Sequence, residues 1–94
     1  MNLASFRSKT LERFWTTGST RGLPVQNGAK LRRLLSFLAD MGDIDEFLAL
    51  PIGRPHPLSG DRAGTFSVSV TANWRLTFTI DDGALYDLDL EDYH

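Results

Sequence analysis

Three stretches in the last third of the chain alternate apolar and polar residues with a period of two, and this alternation limits the fold more than any other feature. Phe66, Val68 and Val70 are interleaved with Thr65, Ser67 and Ser69, and Trp74, Leu76, Phe78 and Ile80 with Asn73, Arg75, Thr77 and Thr79. Ala84, Tyr86, Leu88 and Leu90 then alternate with Leu85, Asp87, Asp89 and Glu91. Successive side chains of a strand point to opposite faces, so each stretch predicts a strand with one face for a core and one for water. Asp81-Asp82-Gly83 is a tight-turn signal between the second and third strands, and Thr71-Ala72-Asn73 supplies the other reversal. An antiparallel meander of this kind needs a cover for its apolar face.

The first forty residues provide that cover. Leu11, Phe14 and Trp15 follow i, i+3, i+4 spacing, which predicts a helix over Lys9 to Thr17 with Ser8 as N-cap and Gly18 just past its end. Leu31, Leu34, Leu35 and Leu38 form the buried stripe of a second helix, which Pro24 can open at its first turn. Lys30, Arg32, Arg33 and Ser36 fall off that stripe. Leu3 to Arg7 suits a short first strand, and Gly42, Pro51, Gly53, Pro55 and Pro57 punctuate a connection with room for one helical turn around Glu46 to Ala49. The expected fold is α+β: two N-terminal helices packed on an antiparallel sheet, in two layers. A length of 94 residues with 41% hydrophobic content fits one domain over residues 1–94 and leaves no room for a second. No stretch resembles a signal peptide or approaches the length of a membrane span, which points to the cytoplasm and away from membranes.

Composition also narrows the chemistry. The absence of cysteine excludes disulfides, thiolate catalysis and sulfur-based zinc sites, and two histidines cannot cage a metal alone, so no cofactor or metal is expected. The first 33 residues hold seven Lys and Arg against Glu12, whereas residues 76–94 hold six acids and neither Lys nor Arg. That asymmetry suits either solvated faces that balance on folding or a basic helical surface that touches phosphate. The polar sheet face carries Arg75, which either pairs with Asp87, Asp89 or Glu91 across strands or acts on a substrate. His56 stands between prolines in Arg54-Pro55-His56-Pro57, and the chain closes on Glu91-Asp92-Tyr93-His94. Two imidazoles, a guanidinium and a phenol are the groups that cleave a phosphodiester without metal. They supply a base for the 2′-hydroxyl, a cation for the transition-state charge and an acid for the 5′ leaving oxygen.

The blocks Leu11-Glu12-Arg13-Phe14, Gly18-Ser19-Thr20-Arg21-Gly22-Leu23-Pro24, Leu31-Arg32-Arg33-Leu34, His56-Pro57-Leu58, Gly60-Asp61-Arg62-Ala63-Gly64, Asn73-Trp74-Arg75-Leu76-Thr77-Phe78 and the terminal Asp92-Tyr93-His94 together resemble the HigB branch of the RelE/ParE superfamily. The likeness covers nearly the whole chain. It implies a toxin of a type II toxin–antitoxin system, a ribosome-dependent mRNA endonuclease with a RelE-like fold. It also implies two partners: the ribosome with its mRNA and rRNA, and a HigA-like helix-turn-helix antitoxin, through which alone DNA is met. Matched by motif, His56, Arg75, Asp92, Tyr93 and His94 fall on the family's active-site positions. Arg75 is expected to stabilise the phosphate, His56 or His94 to move protons, Tyr93 to position or stack on a nucleotide, and Asp92 to orient His94 or assist as an acid-base group. Ser59, Lys30, Arg32, Arg33 and Arg62 are expected to face RNA or the ribosome.

Two departures bear on activity. Ser59 stands where the family commonly has an active-site lysine, and the chain carries a net charge of −2 where such toxins are strongly basic. An attenuated nuclease is therefore expected. The alternatives are a catalytically weak domain that serves as an antitoxin-binding, operon-regulating module, and a ParE-like gyrase inhibitor.

Overall fold

Ser8 Oγ accepts a hydrogen bond from the Leu11 amide at 3.1 Å, and this cap starts helix α1 (Lys9–Thr17). Gly18, in the left-handed region at φ 81°, ends it by donating to the Phe14 carbonyl. The computed structural model describes residues 1–26 and 28–92, and both ends of α1 match the sequence expectation. Helix α2 (Gly28–Asp40) buries the predicted stripe of Leu31, Leu34, Leu35 and Leu38. It begins four residues after Pro24, which corrects the expected start. Val25 is buried, yet it lies roughly 120° of helical rotation away from Leu31. A helix opened at Pro24 would aim Val25 away from the core, so the chain reaches it in a loop instead.

A third helix, α3 (Ile44–Leu48), occupies the connection, two residues earlier than the expected turn. Asp43 and Glu46 fix its start with a reciprocal capping box. Its Phe47 is fully buried and meets Phe78 edge-on at 5.0 Å and Phe66 at 6.2 Å.

Among the described residues five strands form one sheet. They are β1 (Asn2–Leu3), β2 (His56–Pro57), β3 (Thr65–Ser69), β4 (Trp74–Asp81) and β5 (Ala84–Asp92), arranged in the order β1-β5-β4-β3-β2. The pairs among β2, β3, β4 and β5 are antiparallel as expected, whereas β1 lies parallel to β5. The strand expected over Leu3 to Arg7 is thus replaced by Asn2–Leu3, which shares only Leu3 with it. The rest of the expected stretch follows β5 irregularly, with Ala4 and Arg7 donating to the Leu85 and Leu88 carbonyls at 2.7 and 2.8 Å.

The regular alternation expected along β5 is also corrected. Asp87 and Leu88 together stand opposite the single Phe78, and Asp87 adopts φ 56°. This β-bulge resets the parity of the strand. Leu85 is consequently buried with Leu88 and Leu90, while Tyr86 is exposed. Helices and the apolar sheet face share one core, which includes Leu11, Phe14, Leu35, Val68, Leu76 and Leu88. Among the described residues no helix is long and apolar enough to cross a membrane.

Gly53 sets where the chain returns to the sheet ahead of β2. It lies at φ 74°, accepts from the Ser69 amide at 2.7 Å, and leaves no room for a side chain. A Cβ there would stand 2.5 Å from Val68 Cγ2 and 2.8 Å from the Ser69 carbonyl oxygen. Gly83 shares the left-handed backbone at φ 76°, with nothing within 4 Å of its Cβ position. Gly83→Ala should therefore cost about 1 kcal/mol of left-handed strain, whereas Gly53→Ala should cost about 3 kcal/mol or more by adding a clash with backbone. Urea denaturation of both variants checks this, and equal costs would show that the connection yields.

Candidate active site on the polar sheet face

Strand register assembles the polar face. His56 stands opposite Ser67, Ser67 opposite Thr77, and Thr77 opposite Asp89, which makes one row across four strands. The next row runs from Ser69 through Arg75 to Glu91. Residues two apart share a face, so His56 and Arg75 lie on the same side of the sheet, away from the helices. With strands about 4.8 Å apart and residues rising about 3.3 Å, their backbones are roughly 12 Å apart, with Ser67 and Ser69 between them.

The His56 side chain is exposed, and its Nδ1 lies 3.0 Å from the Pro57 carbonyl oxygen. A carbonyl only accepts, so this contact places the proton on Nδ1 and leaves Nε2 of the neutral ring as the basic nitrogen.

Glu91 is the electrostatic centre of the face. Arg62, carried by the 3-10 turn Gly60–Arg62, donates from Nη1 and Nη2 to its two oxygens, both at 2.6 Å. Thr77 Oγ1 donates to Oε2 at 2.6 Å, and Arg75 Nη2 to Oε1 at 3.3 Å. Of the three acids that sequence offered as partners for Arg75, register selects Glu91. Asp89 faces Thr77 instead, and Asp87 sits in the bulge. The Arg62 hydrogen bonds, aided by Thr77 and the charge of Arg75, hold the Glu91 carboxyl down to about 2 against its desolvation. Burial pushes the Asp89 carboxyl the other way, up from the ordinary aspartate range. Beside this cluster a cleft is lined by Arg7, Arg62, Thr65, Thr77, Thr79 and Asp87.

The remaining candidates are dispersed. Ser59 is exposed and immediately precedes the 3-10 turn that carries Arg62. Asp92 is exposed and opposite Trp74, in phase with Leu90 and out of phase with Glu91. Tyr93 and His94 lie outside the described residues. Lys30, Arg32 and Arg33 belong to α2, with the sheet between them and Arg75. Arg32 is committed to packing there, its guanidinium 4.6 Å from the Phe14 ring centroid and donating to the Phe14 carbonyl at 3.3 Å. Sequence reasoning missed Glu91 as the anchor of the face and Thr77 as its partner. The interleaved pattern that placed Thr77, Asp89 and Glu91 on polar positions was the available signal.

The depressed Glu91 carboxyl ties this face to acid stability. Its contribution is complete above pH 4.5, the ordinary value, and is lost as pH falls toward 2. Asp89 acts in the opposite sense, since protonation relieves its burial. Glu91→Gln should lower stability at pH 7 by on the order of 1–2 kcal/mol after allowance for solvent screening, and the deficit should shrink on acidification. Chemical denaturation at pH 7 and pH 3 measures both, and a deficit that stays constant with pH would contradict the assignment.

Comparison with known proteins agrees with this architecture. The model of the HigB-like toxin family, RelE-like toxins of the type II toxin–antitoxin system HigB, matches residues 4–94. Endoribonuclease HigB of Proteus vulgaris is 39% identical over 92 residues, covering 98% of this chain and 99% of its own. Among solved structures, YafQ from E. coli superposes with a TM-score of 0.60 at 21% identity, over 97% of this chain and 93% of its own. YoeB in the heterotetrameric YoeB-YefM complex from Staphylococcus aureus gives 0.58 at 22% identity, over 100% and 99%. At these identities the structural likenesses speak for the fold, and the family rests on the full-length sequence matches. The chain belongs to the HigB-like family of RelE-like toxins of type II toxin–antitoxin systems.

Proposed function

We propose that this protein is an endoribonuclease that cuts mRNA on the ribosome and so inhibits translation. The observation that carries the reading is the shared polar face of His56 and Arg75, in a chain 39% identical to an Endoribonuclease HigB. Cleavage needs no metal if side chains move the protons. A basic imidazole nitrogen, Nε2 of His56 or its counterpart on His94, takes the proton of the ribose 2′-hydroxyl. The 2′-oxygen attacks phosphorus, Arg75 stabilises the charge gathering on the phosphoryl oxygens, and the second imidazole protonates the departing 5′-oxygen. The products are a 2′,3′-cyclic phosphate and a free 5′-hydroxyl. Tyr93 stacks on a nucleotide and Asp92 orients His94 in this scheme.

The chain acts as one domain over residues 1–94, in the cytoplasm where ribosomes are found. Its neutralising partner is a HigA-like helix-turn-helix antitoxin, and DNA is reached only through that complex. An antitoxin partner is supported by the family and by the YoeB-YefM complex among the structural neighbours. Ser59 in the lysine position and the net charge of −2 support an attenuated nuclease with weak ribosome binding. The same serine favours one alternative, a weakly active domain kept mainly for antitoxin binding.

Mapping new mRNA 5′ ends after induced expression, with and without translation, tests the reading. Cuts within coding regions that require translation are expected, whereas intact mRNA with DNA damage would indicate a gyrase inhibitor. Arg75→Ala should lower cleavage by about 100-fold or more, the scale of losing one transition-state stabiliser. Undiminished growth arrest would remove Arg75 from the mechanism. Ser59→Lys should raise cleavage by restoring the cation that the family commonly carries at this position, and an unchanged or lower rate would dismiss the attenuation argument.

A further inference from the structure

We infer that Arg62 is a positioning residue for cleavage: by filling the Glu91 carboxylate with both arms of its guanidinium, it keeps Glu91 from closing onto Arg75. The inference rests on the functional reading above and deepens it.

Glu91 and Arg75 are direct cross-strand partners on β5 and β4. Opposite charges so placed ordinarily draw together, and an arginine facing a carboxylate favours a short two-pronged contact. Here the contact is a single hydrogen bond of 3.3 Å. The short bonds come from elsewhere, two from Arg62 and one from Thr77, each at 2.6 Å. A carboxylate offers about four acceptor sites, so these three bonds occupy most of it. Glu91 is only 20% exposed, which leaves water little scope to compete.

Arg62 reaches Glu91 from a separate segment, 29 residues away in sequence. Its presence is therefore not a by-product of the β4–β5 register that brings Glu91 to Arg75. With both Nη atoms on Glu91, Arg62 is also poorly placed to grip RNA directly. A phosphate arriving at Arg75 has to compete with whatever holds that guanidinium. Without Arg62, the carboxylate facing it across the ladder becomes a stronger competitor.

The test is single-turnover mRNA cleavage on programmed ribosomes with toxin in excess, which yields a maximal rate and a half-saturating concentration. Arg62→Ala should lower the maximal rate by about 30-fold or more, part of the 100-fold scale of a lost transition-state stabiliser, with little change in half-saturation. Arg62→Lys, which keeps the charge on Glu91, should retain most of the rate. Arg62→Ala/Glu91→Gln should recover much of the loss, because a neutral amide does not seize Arg75. Thermal melts establish that each variant is folded at the assay temperature, and Arg62→Gln replaces Arg62→Ala if the alanine variant is not. A double variant as slow as the single shows that Arg62 meets RNA itself and overturns the inference. So does an Arg62→Ala rate equal to wild type, or a recovery that merely follows the melting temperatures. Failure of the wild type to cut translated mRNA is a different result, and it removes the functional reading on which the inference stands.

Discussion

Two residues of β5, Asp87 and Leu88, stand opposite the single Phe78 of β4, and the rest of the molecule depends on that extra residue. A strand with an unbroken period of two cannot bury Leu85 and Leu88 together, because they fall on opposite faces. The bulge removes the conflict. It lets Leu85, Leu88 and Leu90 all reach the core, and it delivers Asp89 and Glu91 to the polar face in line with Thr77 and Arg75. The bulge is supported from outside the hairpin. Ser5 Oγ accepts the Asp87 amide at 2.9 Å, the Ser5 carbonyl accepts the Leu88 amide at 3.1 Å, and Arg7 lies 3.7 Å from the Asp87 carboxylate. The irregular run after β1 thus serves the bulge more than it extends the sheet.

The polar face then faces a difficulty of its own. Ser67 and Thr77 are each 2% exposed, so a carboxylate beside them loses much of its hydration. Glu91 is tolerable there because donors replace the water, and Arg62 supplies the geometry best suited to the task. The fork also holds the 3-10 turn against β5. Since that turn continues the chain segment bearing His56 and Ser59, one ion pair links the two parts of the chain from which the candidate site is built.

Legibility in the sequence follows how local each determinant is. Helix α1 can be read at both ends because Ser8, the Leu11 and Phe14 spacing, and Gly18 lie within eleven consecutive residues. The start of α2 is misread because Pro24 is a strong local signal, overruled by the burial of Val25 in the tertiary core. The bulge marks the alternation of residues 84–91 only through Leu85, which stands among polar positions, and its support comes from Ser5 at the other end of the chain. The site divides the same way. His56 and Arg75 stand out by residue type and local setting, and family resemblance adds the three terminal residues. The Arg62–Glu91 fork joins distant segments, and no period or motif spacing encodes such a contact.

Charge at the site is more nearly balanced than the presence of two arginines suggests. Arg62 and Arg75 are met by Glu91 and by Asp89, whose carboxyl is raised by burial and is correspondingly easier to neutralise. A lysine at position 59 would tip this balance toward phosphate, and Ser59 does not. The chain as a whole, at net −2, adds no long-range attraction for RNA. On the function proposed above, recognition of a ribosome-bound mRNA by such a surface has to rely on shape and on close contacts made after docking, where screening is weakest. On that reading the distance between Glu91 and Arg75 matters more than it would beside a lysine at position 59, because Ser59 cannot stand in for a guanidinium that its own sheet has captured.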